Sequence, residues 1–411
     1  MAEYLIIGNG TAAVGCIEGI RSTDPDGNIT VVSGEEHHVY SRPLISYYLE
    51  GKTTLEKMRY RPEDFYEKNN VNLIYGRAVK VDTKKMSVTL ENKKRLFYDK
   101  LCLCTGSSPF VPPFEGLDTV EKKFTFMTLD DSLALEKALD KSARVLIVGA
   151  GLIGLKCAEG IAERVGSITV CDLADRVLSS ILDSECAALM QHRLEENGIS
   201  FMLGDTAVRF EGSKAFMKSG AEVEFDILVL AVGVRAETEL AKQADCKVNR
   251  GIVVGTDMRT TTPDIFAAGD CAEGFDSSIG QNRVLAILPN AYMQGHCAGV
   301  NMAGGSEVFD NAVPMNSIGF FGLHCATAGS YPEDAEMSQQ KTEGGIKRLF
   351  IKEGRLCGYM LIGDVCRAGV YTSLVREKTE LDEESIAEMK KFPSLAIFSA
   401  EKRSKKLGGV V

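Results

Sequence analysis

The sequence has no Cys-x-x-Cys pair, although it contains 12 cysteines. It also has no local cluster of four cysteines, so a zinc or iron–sulfur site built from closely spaced thiols is excluded. Scattered cysteines of this kind are typical of buried free thiols in a reducing compartment. Cys102 and Cys104 alternate within an apolar run, which predicts that both side chains lie on one face of a strand.

Long hydrophobic runs and an excess of positive charge are also missing. No apolar run reaches about 18 residues, so no membrane span is expected. The N-terminus enters an apolar strand at once and lacks the layout of a signal peptide, which predicts a cytoplasmic protein. With 47 Lys and Arg against 57 Asp and Glu, the net charge of −10 disfavours nucleic acid as a partner. His37 and His38 fall in a loop without spaced partners, so no metal site is predicted.

The 411 residues are too many for one ordinary core, and one pattern occurs twice. An apolar strand, a glycine-rich turn and a helix are followed by a second strand that ends near an acidic residue. The first copy runs from EYLIIGNGTAAVG to ITVVSGEE and the second from VLIVGAGLIG to ITVCDLAD. Two such copies favour dinucleotide binding over a duplicated, nucleotide-free α/β fold.

Each copy supplies the groups that a dinucleotide needs. The first glycine allows a tight turn, the second lets the backbone approach a pyrophosphate, and a third small residue lets the helix pack against the sheet. The helix N-terminus offers free N–H groups and a positive dipole end to the phosphates. The acidic residue can accept hydrogen bonds from a ribose diol. These residues are Gly8, Gly10, Ala13 and Glu35 in the first copy, and Gly149, Gly151, Gly154 and Asp172 in the second.

Further strands close the two units. Residues 100–109, 225–237 and 260–273 are predicted as strands that end at Thr105-Gly106, Gly233 and Gly269-Asp270. From about residue 312 the pattern changes to two strands around a Glu-Gly turn, then a helix with an apolar stripe of Val370, Tyr371, Leu374 and Val375. The predicted fold class is α/β, with two Rossmann-like domains, the second inserted in the first, and a C-terminal α+β domain. The basic end, EKRSKKLGGVV, is predicted to be frayed.

These motifs together resemble the pyridine-nucleotide-dependent flavoprotein reductases that have two dinucleotide-binding domains. The likeness covers essentially the whole chain, through GNGTAAVG, YSRP, CTGSSP, GAGLIG, AVGV, AAGD and RLFIKEGRLCGYMLIGD. The resemblance implies FAD on residues 1–110 and 238–311, NAD(H) on an inserted domain of residues 111–237, and a C-terminal interface or dimerisation domain of residues 312–411.

The resemblance also implies roles for single residues. Asp270 would hold the FAD ribityl chain, and a helix beginning near Asn290 would lie beside the isoalloxazine. Arg42 and Pro43 would neighbour the flavin, although Pro43 also fits a first-turn helix proline. The full set expected to bind the nucleotides is Gly8, Gly10, Thr11, Ala12, Ala13, Glu35, Arg42, Pro43, Thr105, Gly106, Gly149, Gly151, Ile153, Gly154, Asp172, Gly233, Gly269, Asp270 and Asn290.

The stretch YSRPLISYYLEG, residues 40–51, narrows the resemblance. It is similar to NADH-dependent rubredoxin and ferredoxin reductases, to the flavoprotein domain of nitrite reductases and to NADH oxidase-like proteins that lack the redox cysteine. Disulfide reductases and NADH oxidases or peroxidases of this family carry a redox cysteine in this helix, whereas this stretch has none. The resemblance therefore implies electron transfer from flavin to an iron–sulfur or rubredoxin-type carrier without dithiol chemistry.

Two positions depart from the family pattern. A lysine often follows the serine of this stretch and a glutamate often follows the second glycine turn, but Tyr47 and Lys156 stand there. We expect Lys156, with Arg42 and Pro43, to act at the flavin, where a cation would stabilise its reduced, anionic form. The alternative is a lysine that reaches solvent from a helix.

Substrate and partner are less constrained by the sequence. Asp172 and Asp175, opposed only by Arg176, favour NADH over NADPH because a 2′-phosphate would meet carboxylates. The basic runs NKKRL at 92–96 and EKRSKK near the end are candidate docking patches, with solvated charge as the alternative. An NADH oxidase, a subunit of a larger dehydrogenase complex, a homodimer and a redox-sensing binding module stay open.

Overall fold

The computed structural model describes residues 1–342 and 344–407. They divide into two units. The first consists of Met1–Phe275 and Asn282–Phe309, and the second of Asp276–Gln281 and the chain from Asp310 onward. No helix within the described ranges is long and apolar enough to cross a membrane.

The first unit contains two five-stranded parallel sheets. The first parallel sheet has the strand order Ile265–Ala267, Lys100–Leu103, Glu3–Ile7, Asn28–Ser33 and Val71–Tyr75. The second parallel sheet has the order Ile199–Leu203, Ser167–Asp172, Arg144–Val148, Ile227–Leu230 and Lys123–Phe124. Since the strand at 265–267 returns to the first sheet after the second is complete, the second sheet is inserted in the first. The predicted α/β class is confirmed.

The two units also contain helices and smaller sheets. The helices are α1 (Thr11–Thr23), α2 (Leu44–Leu49), α3 (Phe65–Lys68), α4 (Leu129–Ala138), α5 (Leu152–Ile161), α6 (Ser184–Glu196), α7 (Glu239–Gln243), α8 (Leu288–Met302), α9 (Ala368–Arg376), α10 (Glu383–Lys391) and α11 (Ala400–Leu407). A three-stranded antiparallel sheet, here called the meander, comprises Ala78–Asp82, Ser87–Leu90 and Arg95–Phe97. Other short strands are Ser107–Pro109 paired with Val234–Ala236, the group Ala207–Glu211, Lys214–Met217 and Glu222–Glu224, and the group Ile252–Val253, Ala272–Asp276 and Gln281–Val284.

Helices α1 and α8 pack backbone against backbone. A Cβ on Gly15 would lie 2.2 Å from the carbonyl oxygen of Tyr292, and one on Gly295 would lie 2.0 Å from that of Ala12. Because only glycine permits this separation, the two helices are held in a fixed register. The packing places the first turn of α8 beside the first turn of α1.

The second unit is an antiparallel sheet with helices. Its strand order is Met315–Phe320, Leu323–Gly329, Arg355–Ile362, Gly345–Lys352 and Glu336–Thr342. The predicted hairpin around the Glu-Gly turn is confirmed, and so is the apolar stripe, since Val370, Tyr371, Leu374 and Val375 are the buried residues of α9.

The predicted frayed end is wrong for residues 401–407, which belong to α11. The Ser399 hydroxyl accepts a hydrogen bond from the backbone N–H of Lys402 at 3.3 Å, at the start of the helix. The side chain of Lys402 also pairs with Glu377 at 3.2 Å. These local contacts give the basic segment a helical structure that its charge alone did not indicate. Residues 408–411 of the prediction lie outside the described residues.

Candidate functional site

A cleft with a volume of about 220 Å³ lies at the carboxyl ends of the first parallel sheet. Ten of the residues predicted to bind nucleotide line it: Gly8, Gly10, Thr11, Ala12, Glu35, Arg42, Thr105, Gly106, Gly269 and Asp270. Asn9, Ser33, Gly34, His37, His38, Tyr40, Cys104, Ser107, Met127, Ala268, Leu288 and Ala291 also line it. The sheet topology thus gathers five separate segments of the predicted set at one edge, as expected for an open α/β sheet.

The first glycine turn forms one wall of this cleft. Gly8 has φ +112°, and a Cβ there would lie 2.0 Å from the carbonyl oxygen of Cys104 in the neighbouring strand. Gly10 is the N-cap of α1, and a Cβ there would meet no protein atom within 4 Å. One glycine is therefore required by packing, whereas the other leaves open space beside the helix N-terminus, where a phosphate can be bound.

Glu35 is the centre of a hydrogen-bond network that the sequence did not reveal. Its carboxylate accepts hydrogen bonds from the Tyr40 hydroxyl at 2.6 Å and from Arg42 at 2.5 Å. Tyr40 in turn accepts from the backbone N–H of Leu129 at 2.8 Å, and Arg42 donates to the carbonyl of Met127 at 3.1 Å. The start of α4 is thereby tied to the loop that carries the predicted ribose ligand.

This network also alters the ionisation of its members. Burial raises the pKa of Tyr40, and the Glu35 carboxylate adds to that shift despite the opposing charge of Arg42. Burial acts to lower the pKa of Arg42, but Tyr40 and Glu35 outweigh it and the net shift is upward. Tyr40 therefore stays protonated and Arg42 stays cationic at neutral pH.

His37 has a partner that the sequence did not indicate. Its Nε2 lies 2.8 Å from a carboxylate oxygen of Asp130, on the first turn of α4. Asp130 follows His37 by 93 residues, so no local spacing could have indicated the pair. The pair is a further contact between the 35–42 loop and α4.

Asp270 is half-buried in the lining of the cleft. Burial raises its pKa, although a hydrogen bond from the Ser107 hydroxyl at 3.2 Å and the charge of Arg42 act in the other direction. A half-buried carboxylate of this kind can accept hydrogen bonds from the hydroxyls of a bound ligand.

Asp270→Asn is expected to raise the melting temperature of the apoprotein at pH 7 and to weaken FAD binding about tenfold or more. A carboxyl whose pKa is raised on folding binds more protons in the native state, so its contribution to stability falls as pH rises from the ordinary aspartate pKa through the raised one. The gain should therefore vanish below the ordinary aspartate pKa. Calorimetry against pH and FAD titration measure both effects, with the exposed Asp26→Asn as control. An apoprotein stabilised equally at all pH values would contradict the assignment.

One thiol does line the cleft. The Cys104 sulfur lies 3.5 Å from that of Cys102, which confirms that both side chains share a face of the strand. The hydrogen bond with Cys102, together with burial, raises the pKa of Cys104 well above its usual value. Cys104 is therefore a protonated, unreactive thiol at neutral pH. Ten of the twelve cysteines are buried and free as predicted, whereas Cys357 is partly exposed and Cys366 fully so.

The second glycine turn repeats the geometry of the first. Gly149 has φ +117°, and a Cβ there would lie 2.2 Å from the carbonyl oxygen of Ala231. Gly151 is the N-cap of α5 and has open space around it. Asp172 ends the adjacent strand, where its carboxylate accepts from the backbone N–H groups of Ala150 at 2.7 Å and Ala174 at 2.8 Å. This edge of the second parallel sheet repeats the glycine turn of the first edge, but its acidic residue accepts hydrogen bonds from backbone N–H groups rather than from side chains.

Lys156 lies on α5, and its side chain is mostly buried, with 15% of its surface exposed. It pairs with the buried carboxylate of Glu159 one turn later and stacks over the Tyr47 ring, with Nζ 4.7 Å from the ring centroid. The two positions that depart from the family pattern are therefore in contact. Sequence reasoning missed Glu159, although its i+3 spacing from a cation was a usable signal.

Several predicted residues lie away from the cleft lining. Pro43 is exposed and precedes α2 with a helical φ of −59°. Ala13 is a fully buried residue of α1. On α5, a Cβ added to Gly154 would lie 2.0 Å from the carbonyl oxygen of Gly149, and Ile153 is half-buried. The carbonyl oxygen of Gly233 accepts a hydrogen bond from the backbone N–H of Phe110. These two residues flank the short antiparallel pair formed by Ser107–Pro109 and Val234–Ala236.

Asn290 is fully buried in the first turn of α8, between two residues that line the cleft. Neither polar atom of its side chain has a hydrogen-bond partner among the described residues.

The sequence profile of the family described as pyridine nucleotide-disulphide oxidoreductase matches residues 2–295. The chain belongs to this family. This oxidoreductase is 33% identical over 392 residues to the epsilon subunit of an NADH-dependent phenylglyoxylate dehydrogenase from Aromatoleum evansii, with 92% of each chain covered. It is 32% identical over 390 residues to an NADH oxidase from Methanocaldococcus jannaschii, with 87% of each chain covered. The oxidoreductase covers only 48% of a nitrite reductase from Bacillus subtilis, to which it is 30% identical.

Solved structures agree on the fold. A ferredoxin reductase from Rhodopseudomonas palustris superimposes with a TM-score of 0.86 over 97% of this chain and 98% of that one, at 23% identity. The two-sheet architecture with an additional C-terminal sheet is therefore that of the FAD-dependent reductases.

The family and its members are FAD-dependent NAD(H) oxidoreductases, so this oxidoreductase is an NAD(P)H-dependent enzyme with FAD as cofactor. The cleft fits FAD, because the open space at Gly10 admits a pyrophosphate at the N-terminus of α1 and Asp270 offers a half-buried acceptor.

Proposed function

We propose that this oxidoreductase passes electrons between NAD(H) and a one-electron iron–sulfur carrier of ferredoxin or rubredoxin type, without a redox-active disulfide. FAD, when bound, supplies the conversion between a two-electron hydride and single electrons. The residues of the chain bind and orient the two nucleotides and exclude dithiol chemistry. We place the protein in the cytoplasm.

The observation that carries this proposal is the absence of a usable thiol at the cleft. Helix α2 contains no cysteine, and Arg42 just before it lines the cleft where a thiol would have been needed. Cys104, the cysteine in the described lining, has a raised pKa and is held by Cys102. An enzyme that reduces disulfides or peroxides through a thiolate would require the opposite shift.

The electrostatics of the second turn support NADH as the nucleotide. The Asp172 carboxylate lies beside the turn, and Arg176 is already paired with Asp175 at 2.8 Å. A 2′-phosphate would therefore meet negative charge without a free cation from Arg176. We expect kcat/KM for NADH to exceed that for NADPH by about tenfold or more, the effect of roughly 1.4 kcal/mol.

Anaerobic stopped-flow mixing of the NADH-reduced protein with ferredoxin, rubredoxin and oxygen tests the function. At least one carrier protein should reoxidise the flavin about tenfold faster than oxygen does at equal concentration, because a docked carrier holds its centre near the flavin. Failure with every carrier together with rapid reaction with oxygen would replace the proposal with an NADH oxidase. A bound flavin reduced once by NADH without turnover would indicate a redox sensor.

A second candidate is a flavoprotein subunit of a larger dehydrogenase complex. It is favoured by the similarity over 92% of both chains to a protein named as the epsilon subunit of such a dehydrogenase. In that case the electron carrier is an iron–sulfur subunit of the complex, and copurification of the natively expressed protein with iron-containing partners distinguishes it from a free reductase.

A further inference from the structure

The meander has a strongly basic surface. Seven exposed cationic side chains lie on its strands, in its two hairpin turns or, for Arg77, directly before its first strand. Together they are called the basic face: Arg77, Lys80, Lys84, Lys85, Lys93, Lys94 and Arg95. Residues 77–95 contain only two acidic residues, Asp82 and Glu91. The segment therefore carries 7 − 2 = +5, whereas the rest of the chain carries −10 − 5 = −15.

The basic face is not neutralised from within the protein. Within the part of the chain that the structure describes, none of the seven cations forms an ion pair. Elsewhere the protein does pair its cations, as Arg61 with Glu18 and Arg144 with Glu224 and Asp226 illustrate. Like charges held this close repel one another, and only salt or an anionic partner can relieve that repulsion.

The sheet register places these cations on a continuous surface. Lys80 and Arg95 both lie opposite Thr89, so the three side chains form one row across the outer face. The next row on that face contains Phe97, which is 64% exposed, together with Ser87 and the one acidic residue of the row, Asp82. Lys84 and Lys85 occupy one hairpin turn and Lys93 and Lys94 the other, about 13 Å apart along a central strand of four residues.

One end of this surface adjoins the rim of the FAD cleft. The backbone N–H of Gly76 donates to the carbonyl of Ser33, a residue of the cleft lining, at 2.8 Å. Arg77 follows directly, and its carbonyl accepts from the backbone N–H of Glu91 at 2.8 Å. These backbone hydrogen bonds connect the basic face to the first parallel sheet, whose edge lines the FAD cleft.

We propose that the basic face docks an acidic surface of the electron-carrier protein with which the oxidoreductase exchanges electrons. The inference rests on the proposed function and identifies the surface of this chain that recognises the carrier. An exposed aromatic ring within a ring of charge is typical of a protein–protein interface. A nucleic acid or an anionic membrane would extend beyond the basic face, which is about 13 Å long, onto other parts of the chain. The rest of the chain has a net charge of −15 and would repel it.

Charge reversal tests the assignment on the full chain with FAD bound. The variants are Lys80→Glu/Arg95→Glu on the face and Lys93→Glu/Lys94→Glu on the turn. Lys137→Glu/Lys218→Glu makes the same charge change at exposed positions outside the meander. The probe is a ferredoxin, mixed anaerobically with NADH-reduced protein at about 50 and about 500 mM salt, with an uncharged quinone as a second acceptor.

Each meander pair should lower the second-order rate constant with ferredoxin about tenfold at low salt, and the difference should largely disappear at high salt. Quinone reduction should stay within about twofold of the native rate, because no docking is needed. Meander variants that behave like the control would overturn the docking surface and leave the proposed function intact. A native protein that reduces the quinone but neither ferredoxin nor rubredoxin would overturn the proposed function and, with it, this partner. Binding of duplex DNA or phosphatidylglycerol vesicles that the same reversals abolish would replace the protein partner.

Discussion

Gly8→Ala is expected to yield protein that loses its FAD during purification and whose apo form melts several degrees lower. A Cβ at this position would lie 2.0 Å from the carbonyl oxygen of Cys104, a backbone atom that cannot rotate away. Overpacking of this kind costs about 1–3 kcal/mol, and φ +112° adds strain for any side chain. The strand at 100–103 must shift, and with it Thr105 and Gly106 at the cleft.

Gly10→Ala separates the packing role from the binding role. Its Cβ would meet no protein atom within 4 Å, so the melting temperature of the apoprotein should not change, whereas FAD should bind about tenfold or more weakly. The ratio of flavin to protein absorbance and calorimetry of the apoprotein measure the two effects. Gly369→Ala, in helix α9 and also free of close contacts, should retain FAD fully. A Gly10→Ala protein with its full complement of FAD would show that the pyrophosphate does not lie at this turn.

Lys156→Met is expected to slow flavin reduction by NADH about tenfold and to lower the flavin midpoint potential by about 30 mV, the equivalent of roughly 1.4 kcal/mol for two electrons. The proposal that Lys156 acts on the flavin is supported by its surroundings. Its ammonium lies over the Tyr47 ring, and α2, which carries Tyr47, follows Arg42 at the cleft. A cation in a mostly buried position is screened little by water, so its removal should affect a nearby anionic flavin.

Glu159→Gln tests whether the charge of Lys156, rather than its packing, sets the midpoint potential of the flavin. It removes the counter-charge but keeps the lysine, so the midpoint potential should move upward rather than downward. The exposed Lys57→Met serves as a control for the loss of one positive charge. Spectroelectrochemical titration measures the potentials, and stopped-flow absorbance measures the reduction rate. If Lys156→Met and Lys57→Met both leave potential and rate unchanged, the Lys156–Glu159 pair is structural only.

The sequence contained the parts of the site that depend on local spacing. Both glycine turns and the stripe of α9 follow from periodicity and turn chemistry, and the structure places them as predicted. The strands predicted at 100–109 and 260–273 are present but shorter, since the parallel strands are Lys100–Leu103 and Ile265–Ala267. The role of Glu35 as an organiser of Tyr40 and Arg42 could not be derived this way. Its network includes Met127, which lies 85 residues beyond Arg42, and only tertiary packing brings the two together.

The unpaired side-chain amide of Asn290 is a second feature that could not be predicted from the sequence. Its side chain was predicted to bind cofactor because of the helix to which it belongs, yet the structure shows a fully buried amide without a protein partner. Burial of this kind is set by the packing of α8 as a whole and has no signature in the residues on either side. Its assignment as a cofactor ligand stays a prediction.

The packing of α1 against α8 can form only late in the synthesis of the protein. Cys16 and Met302, which touch across this pair, lie 286 residues apart in the sequence. A ribosome must therefore translate the whole inserted second parallel sheet before it makes α8, which contributes to the lining of the FAD cleft. Contacts over such separations form late, because the loop between them must close first. Until α8 is made, the face of α1 that packs against it is exposed and available to chaperones.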